Sequence, residues 1–226
     1  MHLQEHYNNL YERSIADIRN GTHQTDSWID APNDNRRGLT LLIRPSTAIQ
    51  HAINQFQQEL MLIDDQQYYQ PISDMHITVL SVISCSEYFD LDQIDLSAYI
   101  RLIEKSAQHI SDIQLRFEGI STSPEAVLVQ GFPINDRLEQ FRKLLRKDFK
   151  TSGLYQTIDA RYTLSTAHIT TVRFRKKLRM SEKYADVLQH HRNTEFGSFQ
   201  PTAIELVYND WYQRGDVVET LHTFLV

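Results

Sequence analysis

His76-Ile77-Thr78-Val79-Leu80-Ser81-Val82-Ile83 and His168-Ile169-Thr170-Thr171-Val172 are two matching runs in this chain. Both are dense in β-branched residues, which suit a pleated, half-buried surface, so each predicts a strand. Each opens on the same His-Ile-Thr string, and the two strings stand 92 residues apart. In a strand, residues i and i+2 share a face. His76 and Thr78 therefore project together while Ile77 and Val79 turn to a core. His168 and Thr170 project together opposite Ile169. Each strand presents an imidazole beside a hydroxyl.

Around these strands the chain alternates strand and helix. Residues 38–44 form an apolar run closed by Pro45, which predicts a largely buried strand. Ser46 is placed to cap a helix with Ile49, Ile53, Phe56, Leu60 and Ile63 on one face. Leu96, Ile100, Ile103, Ala107 and Ile110 mark another amphipathic helix. Residues 112–131 read as a hairpin turning at Ser123-Pro124. Asn135 is placed to cap a helix carrying Leu138, Phe141, Leu145 and Phe149, with Gly153 as the glycine just past its end. A long strand is predicted over 161–174, a short helix over 181–191, and two closing strands over 204–208 and 217–226. Upstream, Leu3, Tyr7, Leu10, Ser14 and Ile18 mark an N-terminal helix over 2–19, and the polar stretch 20–37 reads as a linker. The expected organisation is an N-terminal helix and linker, 1–37, followed by one domain, 38–226.

With 226 residues the chain spans about one and a half typical domains, which fits two lobes sharing a cleft. Hydrophobic residues make up 41% and charged residues 23%, enough to build a core and against global disorder. No stretch approaches a membrane span, and the start lacks a secretory pattern. A single cysteine, Cys85, excludes an internal disulfide framework and a multi-Cys metal site. The expected setting is the cytoplasm and the expected state a monomer. A net charge of −6 argues against a protein that coats long nucleic acids, but leaves room for a local basic groove. No Gly-x-Gly-x-x-Gly or Walker-type loop is present, so those phosphate cradles are absent.

Histidine followed two places later by Ser or Thr is a weak motif, and ten histidines among 32 Ser and Thr residues supply about one or two matches by chance. Four occur. His23-Gln24-Thr25 falls in the polar linker and His109-Ile110-Ser111 at a helix end. Only the other two share the full His-Ile-Thr string and a strand setting. In this pairing, and in the strand–helix opening from Gly38 to Leu62, the chain from Gly38 to Val226 resembles the LigT-like members of the 2H phosphoesterase superfamily. Those proteins carry one His-x-Thr/Ser motif on each of two pseudo-symmetric lobes. The resemblance implies an α+β fold: two lobes of mainly antiparallel sheet with outer helices around a central cleft, here with an N-terminal helical extension. It implies a phosphodiesterase acting on 2′,3′-cyclic nucleotides or RNA ends, without metal or other cofactor. It also implies His76 and His168 as the acid–base pair, with Thr78 and Thr170 as hydrogen-bond donors to phosphate.

The chemistry is consistent with elementary requirements. Opening a cyclic phosphodiester needs a base for water and an acid for the leaving oxygen, on opposite sides of phosphorus. Imidazole titrates near 6.5, so one ring can be neutral and the other charged near neutral pH. The sequence leaves open which ring is which. A cation is expected near the phosphate. Arg36, Arg37 and Arg44 flank the first strand, and Arg173, Arg175, Lys176, Lys177 and Arg179 follow the second motif. Either cluster is placed to border the cleft; simple alternation turns Arg173 away from His168, and Arg44 is a candidate substrate contact. Tyr208 is the candidate aromatic at the cleft. The basic helix carrying Arg137, Arg142, Lys143 and Arg146 reads as a solvated face. Adjacent His190 and His191 diverge on a helix and suggest no metal site. The expected partner is a small phosphorylated substrate, nucleotide or RNA end. A binding module without turnover, and a His-based sugar isomerase or mutarotase, use the same residues.

Overall fold

The computed structural model describes residues 3–226. Met1 and His2, which begin the predicted N-terminal helix and segment, lie outside the described residues. The strands are β1 (Arg37–Ile43), β2 (Tyr68–Tyr69), β3 (Ile77–Ser86), β4 (Leu115–Ser123), β5 (Ala126–Pro133), β6 (Ile169–Arg173), β7 (Glu195–Phe199), β8 (Ala203–Asn209) and β9 (Glu219–Leu225). The helices are α1 (Leu3–Arg19), α2 (Thr47–Met61), α3 (Leu96–Ala107), α4 (Arg137–Ser152) and α5 (Ser181–His190). The architecture is α+β, with two antiparallel sheets. One sheet has the order β3-β1-β8-β9 and the other β2-β6-β5-β4-β7. Each sheet carries one His-Ile-Thr motif at or next to an edge, on β3 and on β6.

One continuous core joins the sheets to their helices. The predicted apolar faces supply it: Ile49, Ile53, Phe56 and Leu60 of α2, Leu138, Phe141, Leu145 and Phe149 of α4, and the inward residues of β1, β3 and β8. Gly153 closes α4 in the left-handed region, at φ 75°, where a side chain is costly and glycine is not. Asp136 rather than Asn135 stands at the N-cap of α4, and the Asn135 carboxamide oxygen accepts from the Arg137 N–H. Ser46 holds the N-cap position of α2 without a side-chain bond. The N-terminal helix packs on β4 and α5. Tyr7 is wholly buried there, its hydroxyl donating to Gly131 O and its own carbonyl accepting from Ser121.

The long strand expected over 161–174 is a correction. Only Ile169–Arg173 pairs as a strand, and residues 162–168 run as irregular backbone along the cleft. Their carbonyls are met by side chains instead of a ladder: Arg146 donates to Leu164 O and Arg142 to Thr166 O. Two strands were absent from the sequence expectation. β2 is two residues long, and β7 has only Phe196 buried, so neither carries an apolar period.

Candidate active site

The first motif sits where a short 3₁₀ turn, Ile72–Asp74, enters the edge strand β3. That turn aims the Asp74 carbonyl at the imidazole, which donates from Nδ1 at 2.8 Å. A carbonyl only accepts, so the neutral ring carries its proton on Nδ1 and its lone pair on Nε2. Beyond the motif the register of this strand against β1 shifts three times, twice within the stretch from Thr78 to Ile83. Leu42 and Leu41 of β1 face Thr78 and Leu80, and Thr40 and Leu39 face Ser81 and Ile83, so Val79 and Val82 are extra residues. Each bulge resets the alternation. The exposed face therefore runs His76, Thr78, Ser81, Ser84 instead of every second residue, and all four line one cavity.

The second motif is built alike. His168 stands just before β6, with Nδ1 2.8 Å from the Thr166 hydroxyl. The preceding residue, Ala167, lies against Gly131 of β5: a Cβ there would come 2.0 Å from Ala167 O. Only glycine lets this backbone approach so closely. Val127 and Leu128 of β5 face Val172 and Thr170, leaving Thr171 as the bulged residue. Its carbonyl is taken by the buried Gln57 side chain of α2 at 2.8 Å. The bulge brings Arg173 into phase with His168 and Thr170. The expectation that Arg173 faces away is corrected for that reason, and Arg173 lines the cavity.

The two motifs meet across a cavity of about 180 Å³ that contains His76, Thr78, His168, Thr170 and Arg173. Of the other lining residues, Arg161 and Tyr162 are exposed and stand at its mouth, Trp211 is half-buried and Gln213 buried. Trp211 lies between two guanidinium groups, Arg161 at 4.7 Å and Arg36 at 5.5 Å from its ring centre. Beneath the cavity lies Arg142, 1% exposed. Its Nε donates to Val79 O at 2.9 Å, and its Nη2 to Thr78 O at 2.9 Å and Thr166 O at 2.7 Å. One buried cation thus ties the backbone of the first motif to the segment bearing the second. The bulge at Val79 makes this possible, because it turns two successive carbonyls to the same side. The reading of Arg142 as part of a solvated face is corrected. It is the longest side chain on the core side of α4, and it reaches a strand edge that has no neighbouring strand.

Two expected substrate contacts lie elsewhere. Tyr208 pairs with Leu39 in the β1–β8 ladder and so shares the core face with Leu41 and Leu206. It packs on Phe89 at 6.0 Å, while Asn209, the next residue, lines the cavity. Arg44 is held by Glu205 at 3.1 Å and donates to Ser73 O, lining a separate shallow depression. Cys85 is buried at the cavity wall, and burial pushes its thiol up to about 12. Of the basic cluster after the second motif, Arg175 and Arg179 pair with Asp30 and Asp65. Among the described residues no group of His, Cys, Asp and Glu is arranged to hold a metal ion, and no helix is long and apolar enough to cross a membrane.

A family model described as the AKAP7 2′5′ RNA ligase-like domain matches residues 39–214. The chain belongs to this family of the 2H phosphoesterase superfamily. Its fold is similar to that of TT0787 of Thermus thermophilus, with TM-score 0.62 and 14% identity over 83% of this chain and 97% of that one. It is also similar to E. coli LigT complexed with 3′-AMP, with TM-score 0.59 and 13% identity over 84% of this chain and 98% of that one. No curated protein matches the sequence significantly.

In this 2H phosphoesterase both imidazoles are pulled well below the usual histidine value, to about 4. For His76 the main cause is burial, opposed by the bond to the Asp74 carbonyl and reinforced by the charges of Arg44 and Arg173. For His168 burial again leads, followed by His76 itself, Arg142 and Arg173. Burial and the neighbouring guanidinium groups thus both disfavour a charged imidazole here, and an entering anion opposes that effect.

Proposed function

We propose that the protein opens 2′,3′-cyclic phosphodiesters of nucleotides or RNA ends by two-histidine acid–base catalysis. The observation that carries this is the meeting of two imidazole–hydroxyl pairs, one from each sheet, with Arg173 in a single cavity. His76, whose Nδ1–H is committed to Asp74 O, offers a lone pair at Nε2 and takes the proton of the attacking water. The new phosphorus–oxygen bond forms as the bond to one ribose oxygen breaks. His168, held as the imidazolium with its Nδ1–H donating to the Thr166 hydroxyl oxygen, gives its Nε2 proton to the leaving ribose oxygen and is left neutral. The anionic substrate supplies the negative charge that raises His168 enough to hold this proton. Thr78 and Thr170 donate to the non-bridging oxygens, and Arg173 carries the countercharge. Acid–base assistance of this kind is worth about 10²–10⁴-fold.

The mouth residues support a nucleoside-bearing substrate. Arg161 is backed by Trp211 on one side, and a guanidinium plane stacks on a base as an aromatic ring does. E. coli LigT has been crystallised with 3′-AMP, NADP+ and ATP, in keeping with a nucleotide cleft in this fold. The test is product analysis with the four nucleoside 2′,3′-cyclic phosphates and a cyclic-phosphate-ended oligonucleotide. Formation of one phosphomonoester isomer supports the assignment. Binding of these ligands without any turnover removes the catalytic role and leaves a binding module.

A further inference from the structure

The segment 20–36 precedes the part of the chain that matches the family model, yet it is clipped along the cleft. Asp26 N–H donates to Phe174 O at 2.8 Å, Arg175 pairs with Asp30 at 2.9 Å, and Lys177 donates to His23 O. Arg36 lies between Trp28, 4.9 Å from the ring centre, and Trp211. At the middle of this strap stands the Asp26 carboxylate, 6% exposed. Oδ1 accepts from the Tyr212 hydroxyl at 2.8 Å and from the Trp28 N–H at 3.1 Å. Oδ2 lies 3.2 Å from Arg173 Nη1. The Tyr212 ring packs on the same guanidinium, 5.1 Å away.

We propose that Asp26 is a positioning residue for the substrate phosphate, acting through Arg173, so that the N-terminal segment is a working part of the site. This rests on the phosphoesterase reading above. An arginine at a strand end has many rotamers, and holding it in one of them costs side-chain entropy. Asp26 meets that cost before the ligand arrives. It is itself fixed by two further donors, and it uses only Nη1. Nε and the second amino group of Arg173 make no hydrogen bond among the described residues and stay available to a phosphate fork. A carboxylate beside a phosphate site repels the ligand if free. Here Arg173 neutralises it, so the pair trades part of its charge for a fixed geometry.

The experiment titrates inorganic phosphate by calorimetry into wild type, Asp26→Ala, Asp26→Asn, Arg173→Ala and the Asp26→Ala/Arg173→Ala double variant. The Arg173 Nε–H signal is followed in ¹⁵N-arginine spectra of the ligand-free proteins. The expected result is about tenfold weaker phosphate binding in Asp26→Ala, a smaller loss in Asp26→Asn, and no loss in the double variant beyond that of Arg173→Ala, because coupled residues are not additive. The Arg173 signal is expected to be sharp in wild type and broadened in Asp26→Ala. Wild-type affinity in Asp26→Ala alongside a loss in Arg173→Ala overturns the inference and spares the phosphoesterase reading. Additive losses in the double variant also overturn it, because they mark a merely structural effect. Absence of phosphate binding in wild type, with a sharp Arg173 signal lost in Asp26→Ala, keeps the tether and overturns the phosphate site on which its role depends.

Discussion

Replacing Arg142 by methionine removes a buried group that hydrogen-bonds to both motif segments. Three carbonyls, Thr78 O, Val79 O and Thr166 O, lose their donors. Each orphaned buried carbonyl costs about 1–3 kcal/mol, so the gross loss is about 6 kcal/mol. Against this, the guanidinium is itself expensive to bury: burial pulls it down to about 10, and an apolar residue of similar volume recovers about 1–4 kcal/mol. The net expectation is a destabilisation of about 3 kcal/mol, or about 6–12 °C in midpoint for a chain of this size. Thermal unfolding followed by circular dichroism measures it. Activity at 20 °C, where the variant is folded, is expected to fall further than stability explains, because the two motif backbones lose their shared anchor. Arg142→Lys, which keeps the charge but not the fork, is expected to fall between. A variant as stable and as active as wild type rules out the anchoring role of Arg142, because it makes the three carbonyls indifferent to their donor.

Other perturbations follow from the same geometry. Gly131→Ala places a methyl group against Ala167 O, 2.0 Å away at ideal geometry, so it is expected to displace the His168 segment and depress turnover more than substrate binding. Thr78→Ala and Thr170→Ala each remove one proposed donor to the phosphate and are expected to lower kcat by about 10²-fold with the fold intact. Stability is also pH-dependent. The folded values of His76 and His168, about 4, lie below the ordinary 6.5, so the unfolded chain binds more protons between these values. Stability is therefore expected to fall from pH 7 towards pH 4, with a slope approaching about 1.4 kcal/mol per pH unit for each ring. In chemical denaturation across that range, His76→Asn and His168→Asn are each expected to flatten the slope.

Much of this molecule is legible in its residues. Helices α1 to α5 follow from apolar faces such as Ile49, Ile53, Phe56 and Leu60, and the hairpin of β4 and β5 from its alternation. The echo of His76-Ile77-Thr78 in His168-Ile169-Thr170 points to two equivalent strands. What the pattern does not carry are departures from regularity. A bulge depends on which partner strand each residue meets, so the extra residues Val79 and Thr171 leave no mark in a single strand's sequence. That is why Arg173 reads as facing away and why the polar run Ser81, Ser84 goes unnoticed as a cleft face. Arg142 misleads for a related reason. Its helix is basic on its outer side, and only the position of the unpaired β3 edge makes one arginine an inward donor. Tyr208 misleads because the aromatic character of residues 208–212 is visible, while the phase that turns Asn209 rather than Tyr208 to the cavity is set by the β1–β8 register.

His76 and His168 are proposed to turn over a cyclic phosphodiester together. This joint role is tested most directly by hydrolysis of 2′,3′-cyclic nucleotides in EDTA by wild type, His76→Ala and His168→Ala. Turnover by wild type is expected to survive EDTA and to be lost in both variants, with phosphate binding retained through Arg173, Thr78 and Thr170. Equal hydrolysis by all three proteins, or turnover that depends on an added divalent cation and ignores either histidine, contradicts the joint role.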